Sequence, residues 1–262
     1  EIAEEFLKNT SGAVFIGSNP PVSFFAYPNK NSYLLPDETS ILNLCTPEQN
    51  GLSALQALSD ECGHTSINKN LIQNGIIEVP TSGKLDTSSI GPLISGLMPE
   101  NAIVSDEAAT SSLFVTPHTL MAKPHDWLSL TGGSIGQGLP LAIGAAIAKP
   151  NSPVITLHGD GGAMYTIQAL WTQARENLNI TNIIFANNSY EILKIELDRV
   201  GAVKTGPRAE SMLSLENPII DWLQLSKSMG VPSFAPNTVE EFSKIFTSSV
   251  KEPGPSLIVL NL

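Results

Sequence analysis

From residue 88 to residue 260, apolar stretches of strand length alternate with stretches that keep helical spacing, and that alternation admits few folds. It predicts a helix over 88–97, a strand over 102–105, a loop with a short helix, and a helix over 135–148. A strand over 154–157, a helix over 166–176 and a strand over 180–186 follow, then helices over 222–229 and 239–248 and a strand over 256–260. Strands separated by helices pair in parallel, because each crossover must lie on a face of the sheet. The expected class is α/β, a parallel sheet with helices on both faces, which binds ligands beyond the carboxyl ends of its strands.

The first 62 residues are sparser. Phe6 and Leu7 belong to a helical pattern, and strands over 13–16 and 40–44 precede a helix over 52–59. These elements are too few for a self-sufficient domain, so 1–62 is expected to be the C-terminal remnant of a partial α/β middle domain. Asn68, Asn70, Asn74, Gly75, Pro80, Ser82 and Gly83 interrupt every apolar period, which makes 63–84 a linker and 85–262 the second domain. The chain starts at Glu1 rather than Met, and its true N-terminus is expected to lie upstream.

Composition narrows the partners. The 262 residues are 42% hydrophobic, enough for a sizeable core. Acidic residues outnumber basic ones 25 to 14 with no basic stripe, which argues against nucleic acid. The longest apolar run, 139–148, is half the roughly 20 residues of a membrane span, so no span is expected. Cys45 and Cys62 are isolated thiols that suggest neither a disulfide framework nor a zinc site and fit a reducing cytoplasm.

The strand over 154–157 runs through His158 into Gly159-Asp160-Gly161-Gly162. A glycine loop lets an anion approach backbone N–H groups at a helix start, yet Asp160 would repel a phosphate unless a cation lay between them. Mg²⁺ resolves the conflict, since it binds about six oxygens shared among carboxylates, amide or backbone oxygens and phosphates. Further oxygen donors stand at the next strand end, in Asn187-Asn188-Ser189-Tyr190. Taken alone, either segment also reads as an ordinary turn.

Together, the Gly-Asp-Gly and Asn-Asn segments on successive strand ends resemble the signature of thiamine-diphosphate-dependent enzymes, and the likeness extends over residues 85–262. It implies the thiamine-diphosphate-binding fold. In it, Asp160, the Asn188 side chain and the Tyr190 carbonyl hold Mg²⁺, and Gly159, Gly161 and Gly162 meet the diphosphate. Asn187 supports them.

Thr131-Gly132-Gly133-Ser134-Ile135-Gly136 resembles the family's aminopyrimidine loop, although glycine-mediated helix packing would give the same pattern. The resemblance implies that Gly133 and Ser134 lie along the pyrimidine, with Gly133 accepting from its exocyclic amine, and that Ile135 keeps the cofactor bent. The bend holds that amine near the thiazolium as an intramolecular base of high effective concentration. Thr110 and Ser111 match a second diphosphate loop; as helix caps, Ser111 or Ser112 would need no ligand. Leu193 falls where relatives place an apolar side chain over substrate, or it is core. His118, His125 and His158 read as structural.

Within the family, the likeness is strongest to acetolactate-synthase-like and benzoylformate-decarboxylase-like members, carried by the runs 162–174 and 21–28. The expected function is a thiamine-diphosphate- and Mg²⁺-dependent non-oxidative decarboxylase or carboligase acting on a 2-oxo acid. A benzoylformate-type decarboxylase, or a non-catalytic module that retains the fold, is the alternative. Two departures separate the chain from named activities. No Gln-Met-Trp element follows Thr110, and Lys194 stands where pyruvate decarboxylases are acidic. No segment resembles the pyrimidine-binding domain that carries the family's activating glutamate. That domain is expected from the same or a second chain of a homo-oligomer. The sequence leaves the use of FAD or CoA open.

Overall fold

A computed structural model describes residues 2–63, 77–202 and 206–262, and the linker readings at Asn68, Asn70, Asn74 and Gly75 lie outside them. The chain divides into two compact units, Glu1–Ile72 with Arg199–Gly201, and Gln73–Asp198 with Ala202–Leu262.

The first unit holds α1 (Ile2–Leu7), β1 (Gly12–Ile16), β2 (Ser40–Cys45) and α2 (Gly51–Cys62). The two strands pair in parallel, from Gly12 opposite Ser40 to Phe15 opposite Asn43. Among its described residues only Phe15 and Cys45 are buried apolar side chains, while Val14, Leu42 and Leu52 are exposed. A two-stranded sheet with so little burial has marginal stability by itself.

The second unit runs α3 (Thr87–Leu97), β3 (Ala102–Glu107), a 3-10 segment (Ala109–Phe114), α4 (Thr116–Thr119), β4 (His125–Ser129), α5 (Gly138–Ala148) and β5 (Val154–Gly159). It continues with α6 (Asp160–Ala163), α7 (Ala169–Arg175), β6 (Ile180–Ala186), α8 (Glu191–Arg199), α9 (Pro207–Met212), α10 (Trp222–Ser228), β7 (Ser233–Phe234), α11 (Val239–Ser249) and β8 (Ser256–Asn261). Six strands form one parallel sheet in the order β4-β3-β5-β6-β8-β7.

Alternation along the strands builds two cores. Val104, Ile155, Leu157, Ile183, Phe185 and Ile258 face α3 and α11, where they meet Leu93, Ile94, Phe242 and Phe246. Ile184, Ala186, Leu257 and Val259 face the other way, toward Leu139 of α5, Leu170 of α7 and Trp222 of α10. Each such side chain contributes about 1.5–3 kcal/mol on full burial, so both faces hold the sheet. Every residue of β6 is buried, as a central strand requires. Asp86 starts α3 by accepting from the Ser88 and Ser89 N–H groups while Ser89 Oγ accepts from the Asp86 N–H.

The parallel α/β architecture matches the sequence expectation, with local differences. Residues 125–129 read as loop but form β4, an edge strand whose polar Asp126 and Ser129 mask the apolar period. The helix expected from 135 starts at Gly138, because Gly132, Gly133 and Gly136 take positive φ and keep the chain out of helical geometry. The helix expected over 166–176 is α7, which starts later at Ala169, and the four-residue α6, Asp160–Ala163, precedes it.

Candidate functional site

From β3 the chain passes to β4 on one side and then returns to β5 on the other, so the order reverses between β3 and β5. Such a switch opens a crevice at the carboxyl ends of the two strands. Register places Glu107 opposite His158, and Gly159 opposite Phe185, so the loops after β3, β5 and β6 gather at one end. Between them lies a cavity of about 110 Å³ lined by Thr110, Ser111, Ile135, Gly159, Asp160, Gly161, Gly162, Tyr190 and Leu193. Asn188 opens onto an adjacent cavity with Asn187 and Ser189, and Gly133 and Ser134 line neither.

Asp160 is 2% exposed and joins two of these loops. Its Oδ1 accepts from the Gly161 N–H at 2.8 Å and its Oδ2 from the Asn188 N–H at 2.6 Å. Burial raises its carboxyl above the ordinary value of 3.8, and the Asn188 and Gly161 N–H groups only partly offset that. A nearby cation would offset the rest.

Asn188 holds a left-handed φ of 54°, which an asparagine tolerates, and its carbonyl accepts from the Leu215 N–H at 2.8 Å. The Tyr190 carbonyl accepts from the Leu193 N–H at 2.9 Å and from the Lys194 N–H at a longer 3.4 Å, so a metal ion there would take the place of the weaker donor. Among the described residues no cluster of three His, Cys, Asp or Glu side chains exists. A metal here would rest on one carboxylate with amide and carbonyl oxygens, a set that suits Mg²⁺ better than a soft ion.

Glycine at 161 is required by space. An added Cβ would lie 2.6 Å from the Tyr190 ring, so Gly161→Ala must displace that residue. The variant is expected to melt within about 2 °C of wild type and to lose about tenfold in Mg²⁺-dependent thiamine diphosphate affinity, read by titration calorimetry. Wild-type affinity would show that the position of the Tyr190 ring does not matter to the site.

The loop after β3 settles one alternative. The 3-10 segment Ala109–Phe114 has Ala108 at its cap position with no side-chain cap bond, so neither Ser111 nor Ser112 caps it. Ser112 Oγ instead donates to Asp106 at 2.7 Å, and Thr110 and Ser111 line the cavity. Leu193 is 44% exposed on α8, which excludes the core reading, and Ile135 is 50% exposed beside it. His118, His125 and His158 do not line the cavity.

The structure adds residues that the sequence reading passed over, Glu107, Leu130, Tyr165 and Ile192 among them. Glu107 closes β3. Its signal is a carboxylate at the end of an otherwise buried strand, where an unpartnered charge would be costly.

Residues 107–260 match the thiamine pyrophosphate enzyme C-terminal TPP binding domain, thiamine pyrophosphate being thiamine diphosphate. The chain belongs to the thiamine-diphosphate-dependent enzyme family. The acetolactate-synthase-large-subunit-like protein IlvX of Mycobacterium tuberculosis is 43% identical over 94% of this chain and 47% of its own length. Benzoylformate decarboxylase of Pseudomonas aeruginosa is 29% identical over 67% of this chain and 32% of its own. The solved thiamine diphosphate-dependent 4-hydroxybenzoylformate decarboxylase of Rhodococcus jostii RHA1 superposes with a TM-score of 0.74 at 24% identity, over 98% of this chain and 49% of that one, and so shares the fold. The chain spans about half the length of the IlvX relative, and less of the decarboxylase.

A larger groove of about 630 Å³ lies along β7, α11 and the start of β8, among Phe234, Lys244, Ile245 and Glu252. No residue of the glycine loops lines it. Size alone therefore does not mark the candidate site at the switch point.

Proposed function

We propose that this chain holds the diphosphate end of thiamine diphosphate through Mg²⁺ bound by Asp160, the Asn188 side chain and the Tyr190 carbonyl. The enzyme it serves is a non-oxidative decarboxylase or carboligase of 2-oxo acids. The single observation behind this is the Asp160 carboxylate, which is buried and bridges the Gly161 and Asn188 N–H groups at neighbouring strand ends. Membership of the family and the acetolactate-synthase-like relative support the reaction class.

When bound, the cofactor would supply a carbon nucleophile toward a 2-oxo carbon and a sink for the electron pair left by the bond cleaved there. The chain's own residues do the rest. Gly159, Gly161 and Gly162 let phosphate oxygens reach backbone N–H groups, and Thr110 and Ser111 offer hydroxyls across the crevice. Ile135 and Leu193 present apolar surface to the crevice, one shaping the cofactor and the other covering substrate.

A cavity of about 110 Å³ is smaller than the 300 Å³ or so of ordinary ligand pockets, so this chain supplies one wall. The other wall is a pyrimidine-binding domain from the same or a second chain of a homo-oligomer. In the same reading, 1–62 ends a middle domain, 63–84 links it and 85–262 is the cofactor domain, which the sparse burial around Phe15 and Cys45 supports. Free thiols at Cys45 and Cys62 support a cytoplasmic setting.

Titration calorimetry of the full-length protein tests the reading. Thiamine diphosphate is expected to bind with Mg²⁺ present and to be released by a chelator, and the loaded protein to turn over one or more 2-oxo acids. Binding that ignores Mg²⁺, or no binding, overturns the metal clamp.

A further inference from the structure

Glu107 lies outside the clamp proposed above, and it is 5% exposed at the end of β3. Its Oε1 accepts from the Gly136 N–H, and its Oε2 accepts from the Gly138 N–H at 2.6 Å. His158 Nε2 approaches Oε2 at 3.1 Å. Crowding places the same carboxylate against both glycine loops. A Cβ on Gly138 would meet Glu107 Cβ at 3.0 Å, and one on Gly162 would meet Glu107 Oε1 at 3.0 Å.

We propose that Glu107 is a positioning residue that fixes the loop 131–138, and with it Ile135, for the pyrimidine half of the cofactor; the proposal rests on the cofactor reading above. The loop has three glycines at positive φ, so its unanchored form has many conformations to lose. The two amides that flank Gln137 both end on one buried carboxylate, and bonds of that kind are about twice as strong as neutral ones. Gly136, next to Ile135, is held from its other side as well, since its carbonyl accepts from Thr166 Oγ1 at 2.7 Å. Ser105 Oγ donates to the Gly138 carbonyl at 2.9 Å. Removing the carboxylate frees the Ile135 end of the loop and leaves the Asp160 bridge between Gly161 and Asn188 intact.

The two halves of the cofactor allow the test. Magnesium pyrophosphate carries the diphosphate end alone, and thiamine diphosphate carries both. In the full-length protein, Glu107→Ala is expected to lower thiamine diphosphate affinity about tenfold or more, while magnesium pyrophosphate stays within about twofold of wild type. Glu107→Gln keeps the volume and one acceptor oxygen, and is expected to fall between. It also serves as the informative variant if the alanine protein does not fold. Equal losses for both ligands in the glutamine variant, or no loss of thiamine diphosphate in either, overturn the positioning role. A wild-type protein that binds neither ligand overturns the cofactor reading itself, and this inference with it.

Discussion

Asp160→Ala is expected to abolish Mg²⁺-dependent binding of thiamine diphosphate, lowering affinity by roughly a hundredfold or more while the apoprotein stays folded. Losses of about 10- to 100-fold are usual when a group merely supports a metal ligand, and Asp160 is the one carboxylate of the proposed set. Stability responds differently because two terms oppose each other. The substitution strands the Gly161 and Asn188 N–H groups, at about 1–3 kcal/mol for each buried donor left unsatisfied. It also removes a carboxylate whose burial alone raises its pKa, a sign that the ionised form is poorly accommodated in the metal-free protein. Asp160→Asn separates the terms, since the amide oxygen can keep one N–H partner while the charge is gone. Both variants are expected to lose the Mg²⁺ dependence in titration calorimetry, and the asparagine protein to melt near wild type. Unchanged affinity in either would sink the clamp.

The parts of this site that were legible from sequence share one property, which is that they follow strands. Val154–Gly159 and Ile180–Ala186 carry the apolar residues Val154, Ile155 and Leu157 and the run Ile183 to Ala186, so their ends, and with them Asp160 and Asn188, follow from the sequence. Loop 131–138 was recognised by its glycines, but its course was not. Period alone extends the α5 pattern back to Ile135, and the positive φ angles of Gly132, Gly133 and Gly136 stop it. β4 escaped because an edge strand buries only part of its side chains and so loses the run of apolar residues that marks its neighbours. Glu107 escaped for a third reason. Its partners Gly136, Gly138 and His158 lie 29 to 51 residues away, and a pairing made by backbone N–H groups leaves no trace in residue type. Packing between elements is hidden in the same way, and Gly91 shows how far that can reverse an expectation.

Helix propensity says that Gly91→Ala, in the middle of α3, should stabilise the protein by about 1 kcal/mol. The opposite is expected. An added Cβ would lie 2.0 Å from the Phe114 carbonyl oxygen and 2.4 Å from His118 Cδ2. The first is backbone of the 3-10 segment Ala109–Phe114, which a rotamer change cannot move away. Either α3 withdraws from the core, where Ile90, Leu93 and Ile94 are buried, or the segment carrying Thr110 and Ser111 shifts. Overpacking of this kind costs about 1–3 kcal/mol and sometimes more, which exceeds the propensity gain. With about 2–4 °C per kcal/mol for a unit of this size, a fall of several degrees in melting temperature is expected. Because the displaced segment lines the candidate cavity through Thr110 and Ser111, thiamine diphosphate affinity should fall as well, although Gly91 touches no part of the cavity. A melting temperature at or above wild type would show that α3 and the Ala109–Phe114 segment do not meet as described, and would remove the support on which Thr110 and Ser111 depend.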